Sequence, residues 1–156
     1  MGDTYPGSRR PQHGYFTWDI AEDSIWGDAT FAGILGLDPA TADNGFSMLR
    51  YMEIVHPDDR EQVVRATQIA VLTGQPYMVI CRLCRGKDIL TIRNRGTCFR
   101  YRDGLPSMAT GMLEIIAVEH PHLSAANQQS TTLPRSRAAK DAVKQRSQVR
   151  MEFMDR

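Results

Sequence analysis

The chain has 156 residues, enough for one domain with a single core and some terminal sequence. Its 19 basic and 18 acidic residues give a formal charge of +1, a balance that argues against a chain built wholly to bind nucleic acid. No apolar run approaches the ~20 residues of a membrane-spanning helix, and no apolar segment typical of a secretory signal stands near the N-terminus. The odd number of cysteines, three, together with that N-terminus predicts reduced thiols in the cytoplasm.

The N-terminal half predicts an arm, a hairpin and helices, in that order. Residues 1–13 are rich in Gly, Pro, Ser and Arg, a composition typical of a disordered arm. Two runs rich in aromatic and β-branched residues flank the polar turn "AED" and predict two strands, "YFTWDI" and "SIWGDA". Apolar residues at helical spacing predict three helices, in "DATFAGILGLDP", "FSMLRYMEIV" and "DDREQVVRATQIAVLTG". Gly36 with Pro39 is expected to end the first helix.

The C-terminal half predicts three long strands, in "YMVICRLC", "ILTIRNRGTCFRY" and "SMATGMLEIIAVE". The turn signals "RGKD" and "RDG" separate them, so consecutive strands are expected to pair antiparallel. The sequence therefore predicts an α+β domain over residues 14–119, with a five-stranded antiparallel sheet and helices packed on one face. Residues 120–156 are predicted to be a polar linker and a basic tail, a candidate helix, with seven basic and three acidic residues.

The string "VHPDDR" concentrates a histidine, a proline and two aspartates before the longest predicted helix. Pro57 is favoured in the first turn of a helix, where its missing N–H costs no hydrogen bond. Asp58 and Asp59 place negative charge near the positive end of the helix dipole. A metal site would need a further His or Cys, and none is near in sequence. The string is therefore interpreted as a helix start.

Several strings occur in the order in which one family of sensory domains carries them, namely "GYFTWDI", "FAGILGLDP", "VHPDDR", "GQPYMVICRLCRGKD" and "RGTCFRYRDGLPSMATGMLEIIAVE". Over about Gly14 to Glu119 the chain thus resembles a PAS domain of the subfamily common in bacterial sensory histidine kinases and cyclases. It departs from that pattern where "DILTIR" lacks the usual Trp, and where Glu114 stands in place of the common Asp.

The resemblance implies a cavity between helices and sheet, which in some family members holds haem, a flavin or a small metabolite. Haem-binding members commonly supply a histidine from the long helix, and flavin photosensors a cysteine from an Asn-Cys-Arg motif on the helices. Here the long helix has no histidine and no cysteine precedes Cys81, so both cofactors are disfavoured and a small metabolite remains the candidate ligand. The candidate pocket residues, which could instead simply fill the core, are Trp26, Val63, Thr67, Met78, Ile80, Leu90, Ile92 and Cys98.

Cys81 and Cys84 form a Cys-x-x-Cys pair, which could indicate a zinc or redox site. Side chains three apart on a strand point to opposite faces, so separate thiols are favoured and no metal site is predicted. No catalytic triad order, phosphate-binding loop or pair of carboxylates stands out. No catalytic residue is therefore predicted, and the protein is not expected to be an enzyme.

The resemblance implies a non-catalytic sensory or regulatory module in bacterial signal transduction. Such a module acts through small-ligand sensing, through protein–protein interaction and dimerisation, or through both. The implied partners are a second copy of the chain and a signalling protein such as a histidine kinase of a two-component system. The 37 residues after Glu119 are too few for an enzyme domain. Two alternatives stay open: a PAS sensor fragment of a histidine kinase, and a nucleic-acid-associated regulator that uses the basic tail.

Overall fold

The computed structural model describes residues 12–124 of the chain. In that part the elements are β1 (His13–Asp19), β2 (Ser24–Gly27), α1 (Ala29–Leu35), α2 (Pro39–Asn44), α3 (Met48–Ile54), a 3₁₀ turn (Pro57–Asp59), α4 (Arg60–Thr73), β3 (Tyr77–Arg85), β4 (Asp88–Arg102) and β5 (Leu105–Glu119). Residues 121–124 are a helical turn where a linker was predicted. Most of the predicted N-terminal arm, and the basic tail with its candidate role in nucleic-acid binding, lie outside the described residues.

The five strands form one antiparallel sheet in the order β2-β1-β5-β4-β3. The first strand pairs with the last, so β5 lies in the middle of the sheet with β1 on one side and β4 on the other. The helices pack against one face, where the inward side chains of the strands join those of the helices in a single core. The predicted α+β architecture is confirmed. Among the described residues, no helix is long and apolar enough to cross a membrane.

The turn between β4 and β5 shows why the C-terminal strands form a hairpin. Asp103 and Gly104 have φ angles of +52° and +78°, the left-handed conformation that a tight hairpin turn requires at both central residues. Asp and Gly are the residues that adopt it at low cost. The predicted turn at "RDG" is therefore confirmed.

Helix α2 was not predicted, because Pro39 was taken as part of the stop signal for α1. Gly36 does end α1, with a φ of +71°. The Asp38 side chain then accepts a hydrogen bond from the Ala40 N–H at 2.8 Å and caps a new helix, in which Pro39 is the first residue. Proline at that position costs no hydrogen bond, so it starts a helix here.

Connecting segments between the helices cover both edges of the sheet. At the β2 edge, Ile25 and Phe46 exchange two backbone hydrogen bonds of 2.7 and 3.0 Å. At the β3 edge, Val55 bridges Leu83 and the His56 N–H donates to the Arg82 carbonyl at 2.8 Å. These contacts satisfy edge groups that would otherwise be available to pair with another chain.

The "HPDD" string starts a helix as predicted, but Asp59 has a further role that the sequence analysis missed. Its carboxylate accepts hydrogen bonds from the Arg82 backbone N–H at 2.7 Å and from the Arg82 guanidinium at 3.0 and 2.7 Å. Asp59 is 8% exposed, and hydrogen bonds from Arg82 hold the pKa of its carboxyl below the usual range. The pair fastens the start of α4 to the β3 edge.

We expect Asp59→Asn to lower the free energy of unfolding by about 2 kcal/mol at neutral pH, because the amide cannot accept all three hydrogen bonds and its NH₂ faces donors. A carboxyl whose folded pKa lies below its unfolded value of about 4 stabilises the fold above that pH and loses the effect as the pH falls through the folded pKa. The difference from wild type should therefore shrink in acid, measured by urea unfolding. Asp58→Asn is the control, since the Asp58 side chain is 74% exposed and 3.8 Å from Arg82. Equal effects of the two substitutions would contradict this role.

Candidate functional site

A small cavity lies in the core between the sheet and the helices. Its volume is about 20 Å³, which is room for about one water molecule. Strands β1, β2, β3, β4 and β5 and helices α1, α3 and α4 all contribute to it. The residues that line it are Phe16, Trp18, Ile25, Phe31, Met48, Tyr51, Thr67, Tyr77, Asn94 and Leu113.

Polar side chains meet in one part of this otherwise apolar wall. Asn94 of β4 is buried, and its Nδ2 donates a hydrogen bond to Tyr51 Oη at 3.0 Å. Tyr77 Oη donates to Asn94 Oδ1 over a longer 3.5 Å. Thr67 Oγ1 donates to the Val63 carbonyl at 2.9 Å within α4. The cavity therefore presents amide, phenol and hydroxyl groups whose bonds run mainly to each other and to backbone.

The polar groups around the cavity are electrically neutral. Burial raises the pKa of Tyr51 and of Tyr77 well above the usual range, so both phenols stay protonated. Burial also raises the pKa of the neighbouring Cys81 thiol to about 11. Among the described residues, those that line the cavity include no Asp, Glu, Lys, Arg or His.

Trp18 is the member of the lining whose polar atom is unsatisfied. It is 8% exposed, and its Nε1–H is buried with no hydrogen-bond partner in the described structure. Ser107 Oγ of β5 shares this property, but Ser107 does not line the cavity. Buried polar atoms without partners are rare in native proteins, and Trp18 Nε1 and Ser107 Oγ are two such atoms on the inward face of the sheet.

Of the predicted pocket residues, only Thr67 lines the cavity. Val63, Leu90 and Ile92 are fully buried in the core, and Cys98 is half-buried on β4 with its Sγ 3.8 Å from the Ala70 carbonyl. Trp26 is half-buried beside a separate surface depression.

Met78 and Ile80 require a correction, because they lie on the opposite face of the sheet, 60% and 45% exposed. Side chains alternate along a strand, and in β3 the alternation is shifted by one residue from the predicted one. Tyr77, Val79 and Cys81 are the residues that point inward.

Nine of the ten lining residues were missed by the sequence analysis, and those among them with polar side-chain atoms are Trp18, Tyr51, Tyr77 and Asn94. A signal existed for Asn94, because it continues the inward alternation of Leu90 and Ile92 and so places an amide in the core.

The face of the sheet away from the helices is partly apolar. Its exposed apolar side chains include Tyr15 of β1 and Met78 and Ile80 of β3, and an open groove runs beside Tyr15 and Met78. We call this surface the open face. Thr97, Thr110 and Met112 contribute to the same groove.

An ionic cluster lies on the open face around Glu114 of β5. The carboxylate accepts from Arg93 at 2.6 Å and from Arg95 at 3.4 Å, and His13 Nε2 lies 3.6 Å from it. Desolvation raises the pKa of Glu114, but hydrogen bonds from Arg93, His13 and Arg95 outweigh it and hold that pKa below its usual range. Glu114 is therefore ionised and paired.

The Cys-x-x-Cys pair does not form one site. Cys81 is buried and Cys84 is exposed, so the two thiols point to opposite faces of β3 as predicted. In the described part of the chain, no group of three or more His, Cys, Asp or Glu side chains is arranged to hold a metal ion.

One antiparallel sheet with a layer of short helices on one face and a cavity between them defines an α+β domain. A comparison with protein-family models matches residues 25–113 to the family described as PAS fold. The match covers more than half of the chain, and the chain therefore belongs to the PAS-fold family. PAS domains are sensory and generally non-catalytic, and relatives of this kind serve in kinases and cyclases.

Solved structures show the same fold. A sensory box histidine kinase/response regulator from Burkholderia thailandensis has a TM-score of 0.58 at 18% identity, covering 86% of this chain and 92% of that one. The N-terminal domain of a diguanylate cyclase with a PAS/PAC sensor from Marinobacter aquaeolei has a TM-score of 0.57 at 16% identity, covering 67% of this chain and 94% of that one. An RNA-binding light-oxygen-voltage receptor has a TM-score of 0.57 at 19% identity, covering 90% of this chain and 36% of that one. A search of curated proteins gives no match.

The cavity does not fit haem or a flavin held through a helical His or Cys. The helices contribute Phe31, Met48, Tyr51 and Thr67 to the lining, and none of these supplies an imidazole or a thiol. A volume of about 20 Å³ is also far below that of either ring system.

We expect Tyr51→Phe to lower the free energy of unfolding by about 1–2 kcal/mol, because it leaves the buried Asn94 Nδ2 without its acceptor. Chemical denaturation of the two proteins measures the difference. Tyr15→Phe is the matched control, since Tyr15 is 56% exposed and should stay within about 0.5 kcal/mol of wild type. A neutral Tyr51→Phe would mean that the Asn94 amide is satisfied in another way.

Proposed function

We propose that this PAS domain is a non-catalytic sensory or regulatory module in bacterial signal transduction, which binds a small molecule in its core cavity and transmits the change through the open face. The observation that carries the proposal is a core cavity in which the hydrogen-bonded polar side chains of Tyr51, Tyr77 and Asn94 meet an otherwise apolar wall. A core that served stability alone would be expected to fill this space with apolar side chains, since unpaired buried polar groups cost free energy.

Strand alternation supports a route from the cavity to the open face. Asn94 points into the cavity, while its neighbours Arg93 and Arg95 lie on the other face and hold Glu114 of β5. We propose that a ligand beside Asn94 also shifts the backbone of β4 at this position, and with it the contacts of both arginines to Glu114. Binding then shifts the population between two arrangements of the open face.

A second copy of the chain is the proposed occupant of the open face. Phe46 covers part of the β2 edge, and Val55 and His56 cover part of the β3 edge. Pairing with another chain is therefore blocked along those parts of the edges. The apolar side chains of Tyr15, Met78 and Ile80 are left exposed on the face instead. A two-fold interface needs such a self-complementary patch, with apolar centre and polar rim.

The proposal is tested first by native mass spectrometry of the full chain purified from its own host, with an absorbance scan of the same sample. We expect a dimer that carries a co-purifying small mass. A clean apo dimer would remove the ligand part of the proposal and leave an interaction module. A monomer with nothing bound would contradict both parts.

We expect Met78→Glu to weaken self-association at least tenfold in sedimentation equilibrium, because the carboxylate would be buried without a partner. Leu72→Glu is the matched control, because Leu72 is an apolar residue with a greater exposed fraction than Met78, 75% against 60%, but lies on α4. The control should associate like wild type. Equal weakening by both variants, or by neither, would argue against the open face as the interface.

A further inference from the structure

We infer that residues 97–102 of β4 form a docking site at which an extended, acidic segment of a partner protein adds to the sheet as a further strand. The site uses the backbone edge of β4 and not the core cavity or the open face, so it is independent of the proposed function. We call residues 97–102 the free edge. Three observations support its role: it has no neighbouring strand on one side, it carries exposed aromatic side chains, and its two arginines have no ionic partner.

Strand β4 extends beyond its neighbour β3. The pairing of the two strands ends where Tyr77, the first residue of β3, lies opposite Gly96. Pro76 precedes Tyr77 and has no N–H with which to extend the ladder. Residues 97–102 therefore pair with β5 alone, and no other backbone hydrogen bond reaches them from the described part of the chain. Their backbone groups that point away from β5 are free to bond to an added strand.

The opposite edge of the same hairpin is closed, so β4 is the side on which a strand can add. The Ile20 N–H, just after β1, donates to the Ser107 carbonyl of β5 at 3.0 Å. Pro106, the preceding residue of β5, has no N–H to offer to another chain. The free edge is thus the part of this hairpin that resembles an unprotected strand edge.

Exposed side chains along the hairpin add contact area to the free edge. Phe99 and Tyr101 are 50% and 52% exposed, and Leu105 at the start of β5 is 63% exposed. Aromatic side chains contribute large contact areas and lose little conformational entropy on binding, because they have only two rotatable bonds. An added strand would therefore gain apolar contacts as well as backbone hydrogen bonds.

Two arginines determine the charge that suits the free edge. Arg100 and Arg102 are exposed, and neither has an ion pair or a side-chain hydrogen bond to any described residue. By contrast, Arg93 of the same strand lies 2.6 Å from Glu114. The hairpin itself contributes one acid, Asp103, which lies in its turn. Carboxylates on an added strand could pair with both free guanidinium groups, since opposite charges on neighbouring strands attract.

The same arginines disfavour the occupants that this chain itself could supply. A second copy that paired antiparallel through the same edge would bring its own Arg100 and Arg102 close to those of the first, and like charges across strands repel. The terminal sequences outside the described residues are also net basic. Residues 1–11 have two basic residues and one acidic, and residues 125–156 have seven and three. An acidic segment of another protein is the occupant that the charges favour.

The free backbone groups favour a peptide over a nucleic acid. A strand edge presents N–H donors and C=O acceptors in alternation, and the backbone of an extended peptide presents the complementary series. A nucleic acid strand has no such series, and its binding depends mainly on many basic residues that contact phosphates.

The experiment uses the ¹⁵N-labelled full chain and three capped hexapeptides, followed by NMR. The first alternates glutamate with valine, and the second alternates lysine with valine. The third has the first sequence with every backbone amide N-methylated, which removes the donors for strand pairing. We expect only the first to shift the amide resonances of residues 97–102 in a saturable way and to slow their hydrogen exchange. Resonances of residues 82–85, on the covered β3 edge, serve as the internal reference.

Two variants test the charge assignment. Arg100→Glu should weaken binding of the glutamate peptide about tenfold, because it reverses one of the two attracting charges. Lys87→Glu is the matched control: Lys87 is exposed in the β3–β4 turn, has no ionic partner among the described residues, and its replacement changes the net charge equally. It should bind like wild type. Both side chains are exposed and unpaired, so both variants are expected to fold, which their amide spectra verify.

Each contrary outcome has its own meaning. Equal binding of the N-methylated peptide would overturn strand addition, and equal binding of the lysine peptide, or equal effects of the two variants, would overturn the acidic partner. Binding of a hexathymidylate but of no peptide would indicate a nucleic-acid site instead. If nothing shifts these amides up to the solubility limit of the probes, the free edge is no docking site. The bulge at Phe99 and the arginines then serve to prevent strand pairing.

Discussion

The hydrogen bonds between Asp59 and Arg82 fix where the helical layer lies on the sheet. Three hydrogen bonds join the 3₁₀ turn before α4 to the edge strand β3. The Val55–Leu83 bridge holds the preceding segment against the same strand. The long helix is thereby anchored at its start, which sets the position of Thr67 two turns later. Tyr51 on α3 precedes the same segment, so these contacts hold the connection between the two helices that carry Tyr51 and Thr67 against the sheet edge.

Between these helices and the sheet lies a site whose chemistry is unusual for a core. Tyr51, Tyr77 and Asn94 bring three polar groups into a space that apolar side chains could fill, and burial keeps the phenols protonated. Hydrogen bonds within the cluster recover part of the desolvation cost, but the Trp18 N–H remains unpaired.

Much of the fold could be predicted from the sequence because its determinants are local. The "RDG" turn, the helix start at Pro57 and the end of α1 at Gly36 each depend on a few neighbouring residues. The prediction that Met78 and Ile80 of β3 point inward was wrong, because both alternating sets of positions in "YMVICR" contain apolar residues. The charged Arg82 belongs to the same set as Met78 and Ile80, and this signal for the outward face was given too little weight. The cavity was not predictable in full because its members come together only in three dimensions: Tyr51 and Asn94 are 43 positions apart.

The two-residue period of a strand places the cavity and the ionic cluster on opposite faces of β4. Asn94 points into the cavity, and its neighbours Arg93 and Arg95 contact Glu114 on the adjacent strand. The helical layer covers one face and the connecting segments cover parts of both edges, so the open face is the large surface left to report a change in the cavity.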